Sequence, residues 1–359
     1  MSEQSKSLSQ LAFQKFKQSK IGYASLIFVI FLGMIAIFGY ALAPDNSSNA
    51  NQMHLEIHSK KPGFSTLMLT IPSENEIDQS WLSILKNGKQ NTDTEIPIKS
   101  YTIIGEQLSY INYADGLTKE ISLTRINNLP EKYIQTKTFY FGTDKYGRDV
   151  LSRLIIGTRI SFFIGFIAVF ISLFIGISIG ATAGYFGGKI DTFIMWLINI
   201  TWSIPTLLLV IAITLALGKG YWQVFIAVGL TMWVEVARVV RGQVMGTKQL
   251  QYVEAARALG YSNFRIIFRH ILPNILAPVI VISAANFAAA ILIESGLSFL
   301  GIGAQPPTPS WGAMIKNHYN YIILGKPYLA LIPGLAIMSL VMAFMLIGNA
   351  LRDALDVKS

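Results

Sequence analysis

Long uncharged, apolar runs alternate with short polar ones along most of the chain, at 21–44, 160–188, 192–218, 220–234, 271–293, 295–315 and 327–351. A helix rises about 1.5 Å per residue, so about 20 apolar residues cross the ~30 Å hydrocarbon layer of a bilayer. All of these runs except 295–315, which is rich in Gly and Pro, read as spanning helices, giving six. Residues 44–140 differ in kind, being polar and turn-rich with balanced charge. There LSYINY at 108–113 and LTKEISL at 117–123 alternate apolar and polar residues around Ala114-Asp115-Gly116, a hairpin pattern, and Asn87-Gly88 is read as a second turn of this kind. The pattern predicts an all-α integral membrane protein with a small β-rich insert domain outside the bilayer.

Composition agrees, since 52% hydrophobic and 14% charged residues over 359 positions are too apolar for a soluble fold. The net charge of +9 does not point to nucleic acid, because the basic residues sit beside the spans. With no cysteine there are no disulfides, thiolate zinc sites or cysteine nucleophiles. Lys6, Lys15, Lys17 and Lys20 precede the apolar run 21–43. That run exceeds the core of a signal peptide and meets Pro44 where a cut after Ala41-Leu42-Ala43 would fall, so it reads as a retained first span. Parity then places both termini and the polar loop 241–270 on one side. Segments 1–20, 184–191, 238–270 and 352–359 hold 13 Lys and Arg, against 3 at 219 and in 297–327, which makes that side the cytoplasm. The organisation expected is a cytoplasmic tail (1–20), a first span (21–43), the insert (44–140), a five-span core (141–351) carrying the loop 241–270, and a tail (352–359).

The polar island Tyr252–Asn274 lies between two apolar segments. Glu254 suits the first turn of a helix, Ala255, Ala256, Ala258 and Leu259 favour helix, Gly260 suits its C-terminal cap, Ser262 caps a second helix, and Pro273 marks the hand-over to the next span. Small side chains at 255 and 256 would let this helix lie in another protein's groove, with Glu254 and Arg257 at the rim and spaced for an ion pair. Within the spans Pro205 and Pro278 each remove a backbone hydrogen bond, and with Glu294 they are candidates for a transport path; Glu235 and Glu294 are placed at helix ends. His54 and His58 share a strand face without further ligands, so no metal site is expected. The chain has no GxxxxGK[ST] phosphate loop and no convincing catalytic triad or carboxylate pair, so it reads as a non-enzyme that binds no cofactor itself.

Glu254-Ala255-Ala256, three residues, Gly260 and then Leu272-Pro273 resembles the "EAA" loop of bacterial ABC-importer permeases, with His270 where the general pattern has an apolar residue and Ile271 one place late. RHILPN at 269–274 is similar to the peptide and nickel branch of that family. GTDKYGRDVLSRLIIGTRIS, beginning Gly142, Thr143, Asp144 and continuing through Gly147, Arg148 and Asp149, is similar to the stretch before the second helix of the C-type subunits of dipeptide and oligopeptide importers. From the residues alone, this stretch reads as a helix on the outer surface whose arginines, Arg148, Arg153 and Arg159 among them, snorkel to phosphates. LSFLGIGAQPPTPSWGAMI at 297–315 again looks like the family, with Pro306, Pro307, Pro309 and Trp311 forming a rigid non-helical plug near a docking binding protein.

The resemblance implies a type I ABC-importer permease of six spans in the bacterial inner membrane, both termini cytoplasmic. Glu254, Ala255, Ala256, Arg257, Gly260, Leu272 and Pro273 would couple it to the ATPase. Its partners would be a second permease, two ATP-binding subunits that carry ATP and Mg, an extracytoplasmic substrate-binding protein and lipid. Dipeptides, oligopeptides, nickel chelates and some glycosides share this scaffold. Two other classes stand beside it. An ion-coupled secondary transporter would need matching halves or a buried Asp in a span, and a membrane-anchored sensor or scaffold would not require EAARALG at a cytoplasmic turn.

Overall fold

Hydrocarbon offers no partner to backbone N–H and C=O groups, so apolar runs of this length close their hydrogen bonds internally as helices. The computed structural model describes residues 8–73, 78–90 and 93–355; Lys6 and the last four residues of the expected tails lie outside them. In chain order come α1 (Leu8–Gln18), α2 (Lys20–Leu42), β1 (Phe64–Ile71), α3 (Trp81–Asn87), β2 (Thr94–Ile104), β3 (Gln107–Asn112), β4 (Thr118–Ser122), α4 (Pro130–Tyr133) and β5 (Ile134–Phe139). They are followed by α5 (Val150–Phe186), α6 (Gly188–Ser203), α7 (Thr206–Leu217), α8 (Tyr221–Thr247), α9 (Gln251–Ala258), α10 (Asn263–Ile266), α11 (Leu276–Leu300), α12 (Trp311–His318) and α13 (Tyr328–Leu355). Among the described residues five helical runs can cross a membrane by length and composition: α2, α5, α8, the run Asn263–Leu300, and α13. The sixth span expected at 192–217 is not straight, because α6 and α7 meet at 90°. Pro205 has no N–H and pushes the preceding residue out of helical geometry, and Ile204 is extended at φ −90, ψ 126.

Two compact units result. One comprises residues 8–33, 161–305 and 335–355. A close seam runs between α5 and α8, where Gly176, Gly180 and Gly184 recur every fourth residue. A Cβ at Gly180 would stand 2.5 Å from the Ala237 carbonyl oxygen, and one at Gly184 would stand 2.7 Å from that of Arg241. Small residues at this period let two helix backbones approach inside a membrane. Arg241 of α8 grips Asp191 of α6 through two hydrogen bonds of 2.5 and 2.6 Å, and Phe16 of α1 is buried against Ala350 and Ala354 of α13.

The other unit comprises 34–160 and 306–334, wider than the 44–140 insert. It holds an antiparallel sheet in the order β4-β3-β2-β1-β5 around Leu69, Ile98, Leu108 and Ile134. The hairpin at Ala114-Asp115-Gly116 joins β3 to β4, with Ile111 opposite Thr118 and Gly116 at φ +67. Asn87-Gly88 is not a hairpin turn; it ends α3, with Gly88 donating to the Ile84 carbonyl. His54 and His58 do not share a strand face, because they flank the 3-10 turn Leu55–Ile57, and His54 turns inward. It is buried with Nε2 3.3 Å from Glu95, which also receives Lys137 at 3.0 Å. Burial raises the Glu95 pKa, but the His54 hydrogen bond and the Lys137 charge outweigh it and bring it from 4.5 down to about 2.

The stretch 141–149 is a tight turn, not a surface helix, and neither its Arg148 nor Arg153, in the first turn of α5, snorkels. Asp144, at 1% exposure, accepts from Tyr146 N and Arg148 N through Oδ1 and from Arg148 Nε and Nη2 at 2.7 Å through Oδ2. Arg148 continues to Asn51 Oδ1, and Arg153 donates to the carbonyls of Asn49 and Ala50. Gly142 and Gly147, both at φ +76, lie against the backbone of Lys60 and His54, where no Cβ would fit. Thr143 Oγ1 bridges the Ile57 carbonyl and the Lys60 amide, and Asp149 caps α5 by accepting from the Ser152 amide at 2.8 Å. The GTDKYGRD stretch is thus a buried clasp on the loop 49–60. Trp311 is not part of a non-helical plug either: it opens α12, buried at 1%, with its indole N–H donating to the Leu154 carbonyl at 3.0 Å.

Candidate coupling and translocation site

The island folds as its caps dictate. Helix α9 ends in a Schellman motif, with Tyr261 N–H on the Ala256 carbonyl, Gly260 N–H on the Arg257 carbonyl and Gly260 at φ +76. Ser262 accepts from Arg265 N and starts α10. Residues Ile267–Ile271 then form a π turn, and Pro273 lies in a 3-10 turn that passes directly into α11. The π turn adds one residue to the helical count. It delivers Ile271 to the core although this residue stands one place late in sequence, and it leaves His270 to stack on Tyr261 at 5.7 Å.

One face of the island is inward. Val253, Ala256, Ile266, Ile267 and Ile271 are buried with Tyr185 of α5 and with Val236, Val240 and Val244 of α8. Ala256, at 4% exposure, therefore packs on its own chain and is not offered to a partner's groove. Tyr185 donates to Asn263 at 2.8 Å, and Lys248 donates to the carbonyls of Gly184 and Tyr185 that α5 leaves free at its end. The Glu254/Arg257 ion pair does not form; Arg257 lies 5.8 Å over the Tyr185 ring instead. The outward face carries Glu254, Ala255, Arg257, Ala258 and Leu259, the last 72% exposed, and further along the island Phe264 and Phe268, 70% and 55% exposed, meet with tilted rings 4.2 Å apart. This exposed apolar patch is flanked by Arg257, Arg265 and Arg269. Leu272 is half-buried at its edge and Pro273 is exposed.

Two cavities open in the same unit. A cleft of about 590 Å³ lies along α11 and α13, with Pro278, Val281 and Ala285 on one wall, Met345 and Gly348 on the other, and Asn349 and Arg352 as its polar residues. A smaller one of about 200 Å³ sits at the α6–α7 bend, between Ile204, Thr206, Thr231 and Glu235. Pro278 thus lines a cavity, and Pro205 sits at the break beside the other. Glu294 opens on neither. It is 1% exposed and accepts from Ser298 Oγ at 2.7 Å, while Ser298 in turn accepts from Ala304 N, so Glu294 braces the turn after α11. Glu235 is not at a helix end but in mid-α8, exposed to the smaller cavity. The four-residue glycine period of α5 and Pro333 inside α13 are sequence signals of close helix packing and of a local break that the motifs above do not include.

Loop α9 is packed on the ends of α5 and α8, and the helical run Asn263–Leu300 continues from the island through the membrane. Comparisons with known proteins identify relatives of the chain. Residues 176–358 match the family described as "Binding-protein-dependent transport system inner membrane component", and residues 7–62 match "N-terminal TM domain of oligopeptide transport permease C". Over 219 residues, 61% of this chain and 72% of each relative, it is 44% identical to the oligopeptide transport system permease protein OppC of Escherichia coli (strain K12) and 42% identical to the dipeptide transport system permease protein DppC of Alkalihalophilus pseudofirmus. It is 41% identical, at the same coverage, to the glutathione transport system permease protein GsiD of Pectobacterium atrosepticum. A solved structure of the MetNI methionine ABC transporter in an inward-facing conformation aligns with 56% of this chain and 95% of that one at 18% identity and a TM-score of 0.47. A multi-pass chain whose polar island is packed onto its own spans, with an exposed apolar face turned outward, belongs to the binding-protein-dependent inner membrane components, the non-catalytic permease subunits of ABC importers.

Proposed function

We propose that this permease forms half of the membrane path for small peptides, and that the face made by Glu254, Ala255, Arg257 and Leu259 receives a cleft of the ATP-binding subunit. The observation that carries this is the packing of α9 onto the ends of α5 and α8, immediately before the helical run Asn263–Leu300 that lines the 590 Å³ cleft. ATP and Mg would be held by two ATP-binding subunits, a second permease would complete the path, and an extracytoplasmic binding protein would deliver substrate. Gly260, Leu272 and Pro273 shape the loop and Ala256 seats it, while Pro278, Pro205 and Glu235 border the cavities. The names of the relatives, peptide and glutathione permeases, support a peptide substrate. Both termini and the island lie in the cytoplasm and the sheet lies outside.

Uptake of labelled dipeptide, tetrapeptide and nickel by cells with and without this chain tests the substrate. Peptide uptake should fall, and unchanged peptide uptake with loss of another solute would overturn the assignment. Orientation is read with single cysteines, which the native chain lacks. Lys119→Cys on the sheet should react with an impermeant thiol reagent on intact spheroplasts and Arg265→Cys on the island should not; the reverse pattern inverts the topology.

A further inference from the structure

Helix α3 buries none of its residues, although its sequence, WLSILKN, is strongly apolar. Trp81 and Leu82 are 69% and 60% exposed, and Ile84 and Leu85 are only half-buried. A Trp and a Leu side by side on a surface helix cost little when they face lipid and are out of place facing water.

The place of the helix decides between those surroundings. Span α2 is 23 residues long, about 35 Å, so its end at Leu42 marks a boundary of the hydrocarbon layer. The cap of α3 is pressed against that end: a Cβ on Gly88 would stand 2.7 Å from the Tyr40 ring and 2.8 Å from Ser48 Cα. Lys89 extends the contact, donating its amide to Asn46 O and pairing with Ser47. Arg159, where the second apolar run begins, donates to the Lys86 carbonyl at 2.9 Å and stacks over Tyr40 at 5.0 Å. The end of α2 and the start of the apolar run within α5 therefore hold α3 at the level where those runs leave the bilayer. Trp at that depth presents an apolar body and one N–H to a zone that is half wet, and Lys86 and Lys89 beside it suit phosphate headgroups.

We infer that α3 is a lipid-facing foot of the sheet domain, lying in the headgroup region with Trp81 and Leu82 inserted toward the acyl chains. The inference rests on the membrane spans alone and not on the transported substrate.

Leu82→Cys is the only cysteine of its variant, so the full-length chain can carry a single environment-sensitive fluorophore there. In nanodiscs the label should show blue-shifted emission and several-fold stronger quenching by headgroup-nitroxide lipid than the same label at Asp115→Cys on the β3–β4 turn. Water-like emission at 82 without quenching would overturn the inference. Equal quenching at 82 and 115 would also overturn it, since the whole sheet would then approach the lipid. Trp81→Asp provides a second measurement in the Leu82→Cys background: quenching should drop while the melting temperature holds, because Trp81 is 69% exposed in the fold. Unchanged quenching in that variant would assign insertion to something other than α3.

Discussion

Replacing Leu259 and Ala256 by aspartate, one at a time, separates docking from folding on a single short helix. Leu259 is 72% exposed. Full burial of a leucine contributes about 1.5–3 kcal/mol, so covering its exposed share under an ATP-binding subunit is worth about 1–2 kcal/mol, or roughly 5- to 30-fold in affinity. Leu259→Asp removes that and brings a carboxylate to be desolvated, so ATPase co-purification should fall at least about tenfold, with uptake falling alongside and with the permease's membrane level and melting temperature unchanged. Ala256 is 4% exposed among Val253, Ile266 and Ile271. An unpaired charge there costs several kcal/mol out of a total stability of about 5–15, so Ala256→Asp should lower the melting temperature or prevent accumulation in the membrane. Wild-type co-purification and uptake in Leu259→Asp would refute the docking face. Wild-type melting in Ala256→Asp would refute the packing of α9 on α5 and α8.

Three further outcomes follow from the packing and the charges. Gly180→Val should destabilise by about 1–3 kcal/mol through its contact with the Ala237 carbonyl, whereas Gly246→Ala, with no atom within 4 Å, should leave the melting temperature level or slightly raised. Asp144→Asn should cost about 3–5 kcal/mol by leaving Arg148 buried without its counter-charge, measured by thermal unfolding in nanodiscs. The Glu95 carboxyl titrates at about 2 in the fold against 4.5 ordinarily, so its contribution is complete above pH 4.5 and is lost as pH falls toward 2. The loss is about 3 kcal/mol, to be read as faster amide exchange in β1 and β2, and Glu95→Gln should flatten the dependence.

The apolar runs by themselves determined that the chain crosses a membrane and roughly where, because the demand for internal hydrogen bonds in hydrocarbon acts on each segment alone. The Asp-Gly hairpin, the Ser262 cap and the Gly260 cap were equally legible, since each depends on the chemistry of a few adjacent residues. Tertiary structure decided the rest. Which side of α9 turns inward depends on where α5 and α8 end, and that placed Ala256 inside and Leu259 outside. Arg148 and Arg153 are buried because their acceptors, Asn49, Ala50 and Asn51, arrive from about a hundred positions away, a pairing no local pattern encodes. Proline at 205 marked a break but not its angle, and the carboxylate at 294 marked an ionisable group but not the hydroxyl that occupies it. Those outcomes depend on neighbours supplied by the fold, and only packing brings them within reach.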